Sequence, residues 1–105
     1  MAMIALSDRD RFSLYAHLNP LPLAGRSEQR KMDRLWTTLK LDAISAFCEG
    51  RETTRSSEFA VEKTDYEITS DQRDFLTELL DKPMTTALSR LLLPIGDALL
   101  KSRDG

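Results

Sequence analysis

The chain has 105 residues and a formal net charge of −2, with 41% hydrophobic and 30% charged residues. These values are typical of one globular domain with a single core, and they argue against disorder along the whole chain. They also exclude any overall electrostatic attraction to nucleic acid or to an anionic membrane. No apolar run approaches the ~20 residues that cross a bilayer, and the opening residues lack the order of a signal peptide. We therefore expect a cytoplasmic protein without membrane contact, and the single Cys48 suits a reducing compartment.

The first predicted helix begins after Ser7 and ends near Asn19. The Ser7 hydroxyl can cap the helix, and Asp10 three residues later completes an acidic variant of the capping box. Pro20 disfavours the helical conformation in the residue before it, so the helix should not pass Asn19. The segment NPLPLAG, residues 19–25, is therefore predicted to be a stiff connector.

The second predicted helix runs from a Ser27 cap to a stop at Gly50. One third of its circumference carries a predicted core face that consists of Met32, Leu35, Trp36, Leu39, Ala43, Ala46 and Phe47. Leu41, Ile44 and Cys48 lie away from that face, so the C-terminal half is apolar on two sides. The second partner is then either the chain's own C-terminal helices or another subunit.

Residues 58–72 are predicted to be extended in a chain that is otherwise helical. Phe59 and Val61 are at odd-numbered positions, whereas Tyr66 and Ile68 are at even-numbered positions. One regular strand would therefore place the first pair on one face and the second pair on the other. This pattern predicts a hairpin that turns over residues 62–65, or one bulged strand, at about residues 58–68. An exposed strand edge pairs readily with another chain. The predicted subunit interface therefore comprises Leu41, Ile44, Cys48, Phe59 and Val61.

A third helix is predicted after a capping box formed by Thr69 and Gln72. Pro83 is predicted in the first turn of a fourth helix, and Pro94 predicts a kink or a restart as a short terminal helix. The apolar residues assigned to the buried sides of these last helices are Phe75, Leu76, Leu79, Leu80, Met84, Leu88, Leu91, Leu92, Ile95, Ala98, Leu99 and Leu100. The whole pattern predicts a mainly α fold, a single domain over residues 1–105. Four to five helices surround one core, with a small β-hairpin or a single extended segment.

No pattern of catalytic, cofactor-binding or metal-ligating residues is present. His17 is the only histidine, and no partner at a suitable spacing suggests a catalytic triad or a set of metal ligands, so we expect a structural or solvent-exposed role. Cys48 is expected to be a small buried residue. Carboxylates concentrate between residues 58 and 81 without the spacing of a calcium loop, so they predict a solvated acidic surface. The protein is therefore expected not to be an enzyme and to need no cofactor.

A basic group stands at the start of the second predicted helix and comprises Arg26, Arg30, Lys31 and Arg34. Arg30 and Arg34 are one turn apart and could contact phosphates together. Glu28 and Asp33 dilute the positive charge, so ordinary solvation or cross-subunit ion pairing is the favoured explanation of the group. An alternative function is thus a small nucleic-acid-binding transcriptional regulator that uses this basic half of the helix.

Two segments carry a resemblance to known proteins: LSDRDRFSLYAHLNPLPLAG, residues 6–25, and YEITSDQRDFLTELLDKP, residues 66–83. They combine a leucine-rich opening helix, a Leu-Pro-x-x-Gly turn and a short strand that leads into a capped helix. In this order of helix, turn, strand and capped helix, the chain resembles small phage or prophage proteins of unknown function. The resemblance implies an origin in a mobile element. We expect a non-enzymatic interaction protein, a homodimer, that acts by binding another macromolecule.

Overall fold

Five α-helices and a two-stranded sheet make up residues 2–101, the part of the chain that the computed structural model describes. In chain order the elements are β1 (Ala2–Ser7), α1 (Asp8–Leu18), α2 (Arg26–Thr38), α3 (Leu41–Cys48), a short 3₁₀ helix (Ser56–Glu58), β2 (Lys63–Ile68), α4 (Ser70–Leu80) and α5 (Thr86–Lys101). This architecture confirms the predicted mainly α fold with one small β element.

The sheet joins the start of the chain to its middle. β1 and β2 are antiparallel, and their register runs without interruption from Ala2 opposite Ile68 to Ser7 opposite Lys63. The extended segment is therefore one regular strand without a bulge, and the predicted turn over residues 62–65 does not form. Its partner β1 lies in a segment for which no strand is predicted from the sequence.

The structure explains why the apolar residues of the extended segment change from odd-numbered to even-numbered positions. Tyr66 and Ile68 lie on the buried side of β2, whereas Phe59 and Val61 precede the strand and belong to the loop. Because only Tyr66 and Ile68 belong to the strand, the alternation of faces along β2 does not apply to the two loop residues.

The first helix confirms its prediction at both ends. The Ser7 hydroxyl accepts a hydrogen bond from the Asp10 amide at 3.0 Å, and the Asp10 carboxylate accepts one from the Ser7 amide at 3.0 Å. Asn19 follows the last helical residue. β1 thus passes directly into α1 through a residue that ends the strand and caps the helix.

The single helix predicted from Ser27 to Gly50 is wrong, because the chain forms two helices there, α2 and α3. Gly25, rather than Ser27, precedes the first helical residue. Lys40 separates the helices with a left-handed backbone, φ 55°. The buried Arg11 guanidinium donates to the carbonyls of Leu39 at 3.2 Å and Lys40 at 2.8 Å, so a side chain of α1 satisfies the end of α2.

The break changes which side of α3 faces the core. Leu41 and Ile44 are buried with 0% and 4% exposure, whereas Ala43 and Phe47 of the predicted core face are exposed. A continuous helix would have kept the earlier face directed inward. The second partner of these apolar residues is therefore the chain itself.

The C-terminal helices combine one confirmed boundary with one corrected boundary, and the restart that was the alternative to a kink at Pro94 does not occur. Thr69 and Gln72 form the predicted reciprocal capping box at the start of α4. Pro83 lies in the connector and not in the first turn of α5, which begins at Thr86. Pro94 lies inside α5, which continues to Lys101 without a restart. A proline removes one backbone donor, and here packing of the flanking Leu92 and Ile95 retains the helix.

Most buried apolar residues of the described chain, Ile44 and Phe59 excepted, form one cluster with members from both strands and all five helices. Its fully buried members include Ile4, Leu14, Leu35, Leu41, Ile68, Leu76 and Ile95. The radius of gyration is 13.2 Å, close to the ~13 Å of a single domain of about 100 residues.

Candidate functional site

A groove of about 620 Å³ lies between α4 and α5. Its lining consists of Arg73, Thr77, Leu80, Asp81, Met84, Ser89, Leu92, Leu93, Gly96, Asp97, Leu99 and Leu100. Most of these residues belong to α5, and the connector contributes Asp81 and Met84. A concave, largely apolar surface with a few polar groups is typical of a binding site.

The groove exists because α5 has apolar residues on two sides. Leu92, Ile95 and Leu99 are buried in the core, whereas Leu93 is 63% exposed and Leu100 is 85% exposed. Leu93 and Leu100 are seven residues apart, so they lie on the same face of the helix. Exposed leucines clustered beside a groove are characteristic of a protein contact surface.

Gly96 keeps the groove open on its α5 side. Within residues 2–101, a Cβ atom added at this position would meet no atom within 4 Å apart from its chain neighbours and the backbone of its own helix. Half-buried Leu80 and Met84 face this space from the α4 side. A leucine-sized side chain from outside could therefore contact apolar surface on both walls.

The polar residues around the groove carry both signs of charge. Arg73 lines it from α4, Asp81 from the connector and Asp97 from α5. Arg90 is exposed on α5 and is not part of the lining. A mixed rim around an apolar centre is the usual arrangement of a protein interface.

The structure does not present the predicted subunit interface as one surface. Leu41, Ile44 and Phe59 are buried within the chain, Cys48 is half-buried with a free thiol, and Val61 is 62% exposed. The assignment of the three buried residues to an exposed interface is corrected, because the break after α2 turns α3 inward and the loop packs on α1.

Phe59 holds that loop against the helices. Its ring stacks on Phe12 with centroids 4.7 Å apart and meets Phe47 edge-on at 5.1 Å. Arg9 Nε donates to the Ser56 carbonyl at 3.0 Å, and the Arg9 amide donates to the Ala60 carbonyl at 3.1 Å. Residues 59–61 are thus tied to α1 rather than forming part of an open strand edge.

Two residues of the basic group at the start of α2, Lys31 and Arg34, lie beside carboxylates of α4. Arg26, Arg30, Lys31 and Arg34 are all exposed, as predicted. Lys31 and Arg34 line a depression together with Asp71, Asp74 and Glu78. Carboxylates at this position repel phosphate, so the fold reduces the attraction of the group for nucleic acid.

His17 has a structural position. It is 3% exposed, and its Nε2 atom lies 2.7 Å from the Leu79 carbonyl oxygen, so the ring joins α1 to α4. Across residues 2–101, no three side chains among His, Cys, Asp and Glu come together in a way that could hold a metal ion.

The N-terminus of α1 carries an ion pair that joins three elements, with the Asp10 side chain buried and the Lys63 side chain half-exposed. Asp10 on α1 is 8% exposed, hydrogen-bonds the Ser7 amide and pairs with Lys63 of β2. Burial raises the pKa of Asp10, but the hydrogen bond from Lys63 and the Ser7 amide outweigh it, so the net pKa is below its ordinary value. This site stabilises the junction of sheet and helix.

The sequence pattern did not indicate the groove, because a kink or a restart at Pro94 leaves the faces of α5 beyond that residue undefined. It assigned Leu91 and Leu100 to buried sides, whereas they are 44% and 85% exposed. A helical wheel continued through Pro94 places Leu93 and Leu100 opposite Ile95, and that arrangement is the signal that could have identified the second face.

Comparison of the chain with protein-family models, curated proteins and solved structures finds no match. None of the helices within residues 2–101 combines the length and apolar character that crossing a membrane requires.

Proposed function

We propose that this protein is a non-enzymatic interaction protein that binds an apolar helical segment of another protein molecule in the α4–α5 groove. The observation that carries the proposal is the exposure of Leu93 and Leu100 beside a groove walled by Leu80 and Met84. Burial of each leucine in a complex would contribute about 1.5–3 kcal/mol before the costs of association.

A helix is the form of partner that fits this geometry. The groove lies between two helices, and its exposed leucines repeat at a seven-residue spacing. An amphipathic helix places its own apolar residues at positions three, four and seven apart, which matches such a surface. The charged rim residues would then select orientation more than they add affinity.

A phage or prophage type is part of the same proposal. It is supported by the resemblance of residues 6–25 and 66–83 to small proteins of that kind. An exposed apolar groove suits a function exerted by binding rather than by chemistry.

Site-specific photo-crosslinking in cells tests the proposal. We expect a benzophenone amino acid in place of Leu93 to crosslink to protein, because that side chain would lie inside the complex. The matched control replaces Glu52, which is exposed on the loop after α3 and lies outside the groove. Crosslinking to protein from position 93 and not from position 52 supports the proposal. Failure of position 93 to crosslink to any protein contradicts it.

Nucleic-acid binding through α2 is the alternative function, and it has its own test. That alternative predicts a salt-dependent mobility shift of DNA or RNA that the Arg30→Ala/Arg34→Ala variant weakens. An Arg90→Ala/Lys101→Ala variant is the control, because it removes the same charge from α5. We expect no shift with the unaltered chain, since α4 carboxylates adjoin the basic group.

A further inference from the structure

We propose that the occupant of the α4–α5 groove is α5 of a second copy of this chain, packed antiparallel about a two-fold axis near Leu93. The inference rests on the proposed function and names the partner. It is independent of the earlier predicted interface, whose Leu41 and Ile44 are buried within the chain.

The surface is suited to its own copy because it contains both parts of a contact. Leu93 and Leu100 project outward, and the groove beside them accepts apolar side chains. A two-fold axis presents the same patch on both copies, so one chain's leucines can cover the other's groove while the reverse contact forms simultaneously. No other protein needs to supply either part.

Charge complementarity supports the antiparallel arrangement. Arg90 and Asp97 are both exposed and are seven residues apart. At ~100° per residue they lie about 60° and 40° from Leu93 on the same flank of the helix. Neither residue belongs to an ion pair within residues 2–101. In an antiparallel pair about a two-fold axis, the same flank of each helix meets, so Arg90 of each copy faces Asp97 of the other.

The spacing also defines the register. Residues seven apart are separated by ~10.5 Å along a helix, and an axis midway between Arg90 and Asp97 passes beside Leu93. Both ion pairs then form while the two Leu93 side chains meet at the centre. A shift by one helical turn would separate both ion pairs and move the leucines apart.

The opposite flank of α5 allows the two helices to approach closely. Ser89 and Gly96 lie there, on the groove side, at ~40° and ~60° from Leu93 in the other direction. In this register Leu100 of the second copy lies two residues from Ser89 along the helix, and the small Ser89 side chain leaves room for it. Ser89 and Gly96 thus lie on one side of Leu93, and Arg90 and Asp97 lie on the other, where Asp97 borders the groove.

Sedimentation equilibrium over a wide range of protein concentration tests this inference. We expect the unaltered chain to dimerise and the Leu93→Glu variant to be monomeric, with a dissociation constant raised about 100-fold or more by two carboxylates at the centre. Arg90→Asp and Asp97→Arg should each weaken self-association about tenfold, since each variant opposes like charges twice.

Mixing chains that carry different charge substitutions tests the register directly. Chains with Arg90→Asp should pair with chains that carry Asp97→Arg, because both ion pairs then unite opposite charges. The Arg90→Asp/Asp97→Arg double variant should dimerise with itself. Circular dichroism and the melting temperature of each monomeric variant provide the folding control, since all substituted side chains are exposed.

The outcomes separate the two proposals. A monomeric unaltered chain overturns the second-copy inference. A dimer that persists in Leu93→Glu also overturns it, and so does failure of the Arg90→Asp and Asp97→Arg chains to pair when they are mixed. If the chain is monomeric while position 93 crosslinks to a different protein, only the identity of the occupant is overturned. If position 93 crosslinks to no protein, the proposed function also fails.

Discussion

At the scale of single residues, Lys40 shows how one backbone conformation divides a helix. It is the only non-glycine residue with positive φ in residues 2–101. The left-handed region costs a residue with a Cβ atom about 1 kcal/mol, whereas glycine adopts it freely. Arg11 offsets part of this cost by binding the carbonyls at the end of α2.

Replacement of Lys40 by glycine should stabilise the protein. We expect Lys40→Gly to raise the free energy of unfolding by about 0.5–1 kcal/mol, because the strain of the left-handed conformation is relieved. Urea denaturation measures the change. Lys40→Ala is the control, since it removes the charge and keeps the Cβ atom. Equal stability of the two variants would contradict the prediction.

Asp10 should make stability depend on pH in the acidic range. Its pKa is lowered in the folded protein, so its stabilising contribution is present above the pKa of the unfolded chain and is lost as pH falls through the folded value. We expect Asp10→Asn to reduce the free energy of unfolding by about 1–2 kcal/mol at neutral pH. The difference should shrink below about pH 4.

Urea denaturation at neutral and acidic pH measures this difference. Asp65→Asn is the matched control, because Asp65 is exposed on the same strand as Lys63. A penalty for Asp10→Asn that stays constant between neutral pH and pH ~3 would rule out the ion pair as its origin.

At the scale of elements, the break between α2 and α3 decides which apolar residues are available for partners. A continuous helix would leave Leu41 and Ile44 on a second exposed face, but the turn at Lys40 directs both inward. The opposite holds in α5, where the helix continues through Pro94 and carries Leu93 and Leu100 into solvent. The available apolar surface therefore lies on α5 instead of α3.

Truncation of Leu41 tests this assignment. We expect Leu41→Ala to lower the free energy of unfolding by about 2–4 kcal/mol, because a fully buried side chain leaves a cavity. The loss should be the same at low and high protein concentration in thermal unfolding. Leu91→Ala, at a position that is 44% exposed and outside the groove lining, should cost less than about 1 kcal/mol. A concentration-dependent loss for Leu41→Ala would return that residue to a subunit interface.

At the scale of the whole molecule, the two-stranded sheet closes the fold. β1 begins the chain and β2 follows the loop that packs on α1, so their pairing encloses the first three helices in sequence. An isolated two-stranded sheet is marginally stable in water, and here its buried face packs on the helices. Ile4 and Leu6 on that face are each 1% exposed.

Adjacent positions on β1 provide a matched test of this closure. We expect Ile4→Ala to lower the free energy of unfolding by about 2–4 kcal/mol and to speed amide exchange in β2. Met3→Ala should change stability by less than about 0.5 kcal/mol, since Met3 is 49% exposed on the other face. Hydrogen exchange with mass spectrometry measures both effects. Similar exchange in the two variants would show that the sheet does not depend on its buried face.

The sequence predicted those parts of the fold that depend on neighbouring residues. The caps at Ser7 and Thr69 join residues three positions apart, and the strand at Tyr66 and Ile68 follows from local alternation. The α4–α5 groove was not predicted, because whether Pro94 ends a helix depends on the core packed around it.

The sequence by itself thus determined the mainly α class, the capped starts of α1 and α4, and the extended segment that precedes α4. These features arise from hydrogen bonds and periodicity within a few residues. Tertiary structure alone decided the partner of β2, the break at Lys40 and the exposed face of α5. Each depends on contacts between distant residues, such as Arg11 with the Lys40 carbonyl or Ser7 opposite Lys63, and such contacts exist only once the chain has folded.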